Sequence, residues 1–202
     1  MSHAPLPRLV LLTDRAQLRL GRDLVRTLRE CAHAGLRAVV LREPDLVGEP
    51  FEALVREAAA IPGLTLLLSR RTHPLAAGTH LAAHQPSPHH GCWGRSCHAV
   101  PEVRAAAAEG ASWATLSPWG ATLSKPGYGP PVGRDGLADV PLPVLALGGI
   151  TTPEDAADAL ASGAHGVAVM GAVMAAADPA RMVASLLAAL PADAPATTGG
   201  AA

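Results

Sequence analysis

Two apolar runs end in glycine at places suited to holding an anion. Val144-Leu145-Ala146-Leu147 leads into Gly148-Gly149, and Gly166-Val167-Ala168-Val169-Met170 leads into Gly171. Without a Cβ in the way, backbone N–H groups at such turns approach a phosphate closely, although a Gly-Gly pair also suits a plain tight turn. Lys125 is the only lysine among 16 basic residues, and it lies in a Gly- and Pro-rich loop with Thr122 and Ser124. Two hydroxyls and a compact ammonium make a second candidate phosphate contact. Arg42 and Glu43 follow the apolar run Ala38–Leu41. The guanidinium suits either a rim ion pair or a bidentate grip on phosphate oxygens. Ser96 and His98 stand near the end of another strand. His98 is a packed rim histidine or a general base. His80, His84, His89, His90, Cys92, Cys97 and His98 crowd one region, but their spacings fit no standard closed zinc site, so no metal ligand is assigned. Trp119 either wedges its loop or stacks on a heteroaromatic ring.

Short apolar strands alternating with helices must position these groups. Strands are expected at 9–13, 38–41, 64–68, 79–82, 93–97, 113–116, 144–147 and 166–169. Continuous apolar runs of this length suit parallel strands covered on both faces. Helices are expected at 23–34, 50–61, near Leu75, at 102–109, after Thr152-Pro153 and from Asp178 to Leu190. Caps at Asp23, Thr152 and Asp178 and stops at Gly35, Pro62-Gly63 and Gly110 bound them. The His-, Pro- and Ser-rich stretch 83–91 breaks the alternation. The sum is an α/β chain, a compact parallel eight-stranded (β/α)8 TIM barrel with one degenerate βα unit near 83–91. One domain over 1–190 and a disordered tail over 191–202 are expected. No GxGxxG turn follows the first strand, which argues against a dinucleotide fold.

The 202 residues are 49% hydrophobic but only 2% aromatic, so Ala, Leu and Val must build the core. A net charge of −1 gives no basic surplus for nucleic acid or an anionic membrane. Three irregularly spaced cysteines form no disulfide framework. Met1 to Pro7 lacks a signal pattern and no run reaches membrane-spanning length. A cytoplasmic location is therefore expected.

The order of strand-end residues resembles the thiamine phosphate synthase/TenI superfamily over roughly Arg8 to Leu190. The pieces are Leu41-Arg42-Glu43, Gly94-Arg95-Ser96-Cys97-His98, Thr122-Leu123-Ser124-Lys125-Pro126, Gly148-Gly149-Ile150 and Gly166 to Met170. The resemblance implies a transferase of thiamine biosynthesis that joins a pyrimidine diphosphate to a thiazole phosphate and releases pyrophosphate. It implies Arg42, Ser96, Thr122, Ser124 and Lys125 around the pyrophosphate. Gly148, Gly149, Met170 and Gly171 would hold the thiazole phosphate. It further suggests a homo-oligomer. Two departures stand out. Ser69-Arg70 and the Ala83–Ser87 run occupy positions where such synthases carry the aspartates that bind Mg²⁺. Mg²⁺ is then expected only as a companion of the substrate pyrophosphate. A TenI-like thiazole tautomerase is an alternative, but Ser117-Pro118 stands where that branch has its catalytic histidine. Glu43 and His98 are the nearest replacements by strand-end position. A non-catalytic member that only binds a phosphorylated ligand is a third reading.

Overall fold

The computed structural model describes residues 6–19, 21–88, 90–120, 137 and 140–192. Eight strands form a closed, all-parallel barrel in sequence order: β1 (Leu9–Leu12), β2 (Ala38–Leu41), β3 (Thr65–Ser69), β4 (Gly78–Leu81), β5 (Trp93–Cys97), β6 (Trp113–Leu116), β7 (Val144–Leu147) and β8 (Gly166–Val169). Around them lie α1 (Leu24–His33), α2 (Glu49–Ala59), α3 (Val100–Ala108), α4 (Pro153–Ala161), α5 (Gly171–Met174) and α6 (Pro179–Ala188). The (β/α)8 architecture read from the sequence is the one found. The tail beyond Ala192 lies outside the described residues.

Strand alternation divides the core in two. Val10, Leu12, Ala38, Val40, Leu67, Trp113, Leu145 and Ala168 cluster inside the barrel. Their neighbours Leu9, Leu11, Val39, Leu41, Leu66, Leu68, Val144, Ala146, Val167 and Val169 pack outward under the helices. Burial on both faces explains why the strands read as unbroken apolar runs. The helix starts follow their caps: the Asp23 carboxylate accepts from Arg26 N–H at 2.8 Å, the Thr152 hydroxyl from Asp155 N–H at 3.2 Å, and the Asp178 carboxylate from Arg181 N–H at 3.0 Å. Each such cap is worth about 1 kcal/mol.

One aromatic pair fills much of the interior. The Trp113 indole stacks on the His80 ring, with centroids 5.0 Å apart and planes 15° from parallel. Gly94, opposite Trp113 on β5, makes the room: an added Cβ would lie 2.2 Å from the indole. Below the mouth, His80 Nε2 is 3.0 Å from the Thr115 hydroxyl.

Between β4 and β5 no helix occurs among the described residues, in line with the degenerate unit expected near 83–91, and Arg95 compensates for it. Its side chain, on the outward phase of β5, is nearly buried at 7% exposure. Nη1 donates to the carbonyls of Ala82 (3.3 Å), Ala83 (3.2 Å) and Gln85 (2.6 Å). Nη2 reaches Ser87 Oγ at 2.9 Å and Glu109 at 2.8 Å, and the guanidinium sits 5.0 Å from the Trp93 ring. Carbonyls that a helix would satisfy internally are met by one cation. The short helix expected near Leu75 is not formed. Pro74-Leu75 make a turn instead, with Leu75 N–H bonded to His73 Nδ1 at 3.1 Å while His73 Nε2 pairs with Glu52 at 2.9 Å. That histidine supplies the acceptor a helical turn would have needed.

Candidate active site

Loops at the C-terminal ends of the strands are where barrels of this kind carry chemistry. There Gly148 (φ 90°) and Gly149 (φ 77°) both adopt left-handed backbone, which explains the pair. The β6 loop is zipped to this turn by Trp119 N–H on the Leu147 carbonyl and Gly120 N–H on the Gly148 carbonyl, both at 2.9 Å. Buried Trp119 thereby wedges its loop against the rim. On the adjoining strand, Met170 caps α5 and Gly171 opens it. The N–H groups of Gly149, Gly171 and Ala172 have no acceptor among the described residues. Because β7 and β8 pair in register, these two turns are neighbours on the rim. Free amides gathered there suit an anion.

Gln17 lies over this turn, a position that no sequence pattern announces. It sits in a 3₁₀ turn (Arg15–Gln17) after β1, which the barrel closes against β8. Its side-chain amide bonds Asp14 at 2.8 Å and the Met170 sulfur at 3.4 Å. Only knowledge that the first strand adjoins the last could have placed it there.

The other expected residues divide by the direction of their strand. Arg42, two positions beyond the inward Val40, is half-buried; its N–H bonds the Thr13 hydroxyl at 2.9 Å. Its guanidinium has no carboxylate partner among the described residues. It borders an open cleft of about 780 Å³ that Asp14, Arg15, Glu43 and Asp45 also line. Ser96 continues the inward phase of β5, in register with Thr115. His98 places Nδ1 2.9 Å from the Ser117 carbonyl and 3.3 Å from its hydroxyl. Glu43 is engaged by Arg15. Both its oxygens accept from Arg15 N–H at 3.2 Å, and Oε2 also meets Arg15 Nη1 at 3.2 Å. Arg15 in turn forks onto Asp45 at 2.8 and 2.5 Å. Glu43 therefore braces the β1 loop. Thr122, Ser124 and Lys125 lie outside the described residues.

The electrostatics of the floor are those of a neutral base. Burial, helped by the nearby Arg70 charge, pushes His80 down to about 4. Its Nε2 is engaged by the Thr115 hydroxyl. Burial likewise pushes the Cys31 and Cys97 thiols up to about 12, too high for nucleophiles at neutral pH. A carboxylate-held cation does not fit this rim. Ser69 and Arg70 end β3, Ala83 and His84 follow β4, and no group of three His, Cys, Asp or Glu able to hold a metal occurs among the described residues. No described helix is long and apolar enough to cross a membrane.

The His80 shift has a stability consequence. The unfolded chain binds this proton near pH 6.5, whereas the folded chain resists it until about 4. Stability is therefore full above the unfolded pKa and falls as pH drops from about 6.5 towards 4, by at most about 3 kcal/mol. Urea melts across that window are expected to show the slope, and His80→Asn to flatten it. An unchanged slope in the variant would refute the assignment.

Relatives supply the remaining findings. The sequence model of thiamine monophosphate synthase matches residues 79–173. A Geobacter sulfurreducens protein described as a putative thiamine-phosphate synthase is 39% identical over 205 aligned positions, covering 91% of this chain and 94% of its own. Putative thiamine-phosphate synthase 2 of Aquifex aeolicus is 34% identical, covering 81% and 95%. Among solved structures, thiamine phosphate pyrophosphorylase from Pyrococcus furiosus superposes with a TM-score of 0.77 at 21% identity, covering 90% of this chain and 94% of its own. At that identity the superposition speaks for the barrel alone.

Proposed function

The chain belongs to the thiamine monophosphate synthase family, and on that premise we propose that its barrel mouth performs the coupling reaction of thiamine biosynthesis. A thiazole phosphate and a pyrimidine diphosphate are the substrates. The bond from the pyrimidine's exocyclic carbon to the diphosphate oxygen breaks, and pyrophosphate leaves with the electron pair. The thiazole nitrogen donates its lone pair to the resulting cation, forming the new carbon–nitrogen bond. Positive charge and hydrogen-bond donors are most valuable on the leaving group, where negative charge grows.

In this reading the amides of Gly149, Gly171 and Ala172 take the thiazole phosphate, with Gly148 and Met170 shaping their turns. Arg42 and Ser96, joined by Thr122, Ser124 and Lys125, receive the pyrophosphate. The unpartnered amides at two neighbouring glycine turns carry the proposal. The purified chain, given both substrates, is expected to form thiamine phosphate. Gly149→Val both strains a backbone at φ 77° and crowds the cradle. It is expected to raise KM for the thiazole phosphate about tenfold or more, with a smaller change in kcat. No product with any divalent cation, or an unaltered KM in the variant, would overturn the reading.

One observation favours a second activity. His98, whose Nδ1 lies 2.9 Å from the Ser117 carbonyl, stands at the β5 end where tautomerisation of a thiazole carboxylate phosphate would need a general base. NMR of ring-proton exchange in the same samples separates the two.

A further inference from the structure

Arg70 stands at the end of β3 in a conformation that disfavours it. It is the only non-glycine with positive φ among the described residues, at 63°. The fold holds it there from both sides. Its N–H donates to the His80 carbonyl at 2.8 Å, and its own carbonyl accepts from Gln85 Nε2 at 3.2 Å. The preceding residue, Ser69, is in register with His80, so Arg70 lies one step beyond the strand pair that carries the His80–Trp113 stack. Its charge is felt at the His80 ring. Arg42 ends the adjacent strand, paired to β3 through Leu41 and Leu68.

The arginines around these two are committed elsewhere. Arg15 holds Glu43 and Asp45, Arg71 lies over the Phe51 ring with Nη1 on the Leu46 carbonyl, and Arg95 straps its loop. Arg42 and Arg70 form no ion pair among the described residues. The nearby carboxylates are equally occupied, Asp14 by Gln17 and Ala16 N–H, and Glu43 and Asp45 by Arg15. A divalent cation at this edge would face two guanidinium groups and no uncommitted carboxylate. A phosphate oxygen pair, by contrast, matches the planar fork of a guanidinium.

We propose that this chain grips the diphosphate end of its substrate as a metal-free anion, through Arg70 and Arg42 at the ends of β3 and β2. The proposal rests on the coupling reaction above and specifies how that site takes its anionic group. Backbone strain at position 70 is then the cost of keeping a cation where glycine would sit more comfortably.

Calorimetric titration of the full chain with inorganic pyrophosphate tests it, once with a chelator and once with excess Mg²⁺. Pyrophosphate is expected to bind in the chelator, with no gain in affinity from Mg²⁺. Arg70→Gly relieves the strained backbone, so it is expected to hold or raise the melting temperature while weakening pyrophosphate by roughly tenfold or more. Arg42→Gln is expected to weaken it similarly, and Arg70→Lys by less. Binding that requires Mg²⁺, or that is indifferent to Arg70→Gly, overturns the proposal and leaves the coupling reaction standing. No binding in either buffer overturns both.

Discussion

Gly94→Ala is expected to destabilise the barrel by at least about 3 kcal/mol, because the new methyl has nowhere to go. It would lie 2.2, 2.3 and 2.7 Å from three atoms of the Trp113 ring. The indole is 2% exposed and stacked on His80, so it cannot swing aside. Such a cost takes a large share of the 5–15 kcal/mol typical of a domain. Urea denaturation measures it, and the double change Gly94→Ala with Trp113→Leu is expected to recover a good part of the loss. Contacting residues couple in this way. A wild-type midpoint for Gly94→Ala would show that the interior is not packed as described.

The second large effect is expected at Arg95. Arg95→Leu keeps much of the packing against Trp93 but removes the donors to Ala82, Ala83, Gln85, Ser87 and Glu109 together. Breaking one side of a mostly buried charge network typically costs about 3–5 kcal/mol; partial hydration of the loop puts this case near 3. Limited proteolysis is expected to cut within 82–92 in the variant and to spare that stretch in the parent chain. Glu109→Gln, at a side chain 50% exposed, is expected to cost under about 1 kcal/mol. Equal effects of the two changes would mean that the Glu109 ion pair, and not the carbonyl strap, secures the loop.

Much of this was legible in the chain because doubly covered strands write themselves plainly. Val144–Leu147 and Gly166–Val169 are apolar at every position, with glycine following each, so both their bounds and the rim turns could be read. Features that depend on strand phase were not legible. Gly94-Arg95-Ser96 looks like one motif, but neighbours on a strand face opposite sides. Ser96 faces the mouth and Arg95 faces the loop outside. Nor could the sequence show that Glu43 is taken up by Arg15 of the β1 loop. Elements of a single turn were also invisible. Arg15–Gln17 and Gly171–Met174 are too short to show helical periodicity, though the second opens on the Gly171 and Ala172 amides at the rim. The Thr122–Lys125 segment could be read only from its composition, and it lies outside the described residues.

Closure of the sheet sets the order in which this protein can be made. Leu9 of β1 pairs with Val167 of β8, the last strand of the barrel. Roughly 160 residues separate the two, which at ribosomal speeds of 5–20 residues per second is about 8–30 s. Throughout that interval the leading strand exposes a ladder of unmet amides and carbonyls, a template for any other nascent copy. A chain truncated before Gly166 therefore keeps β1 as an open edge with no strand to close it.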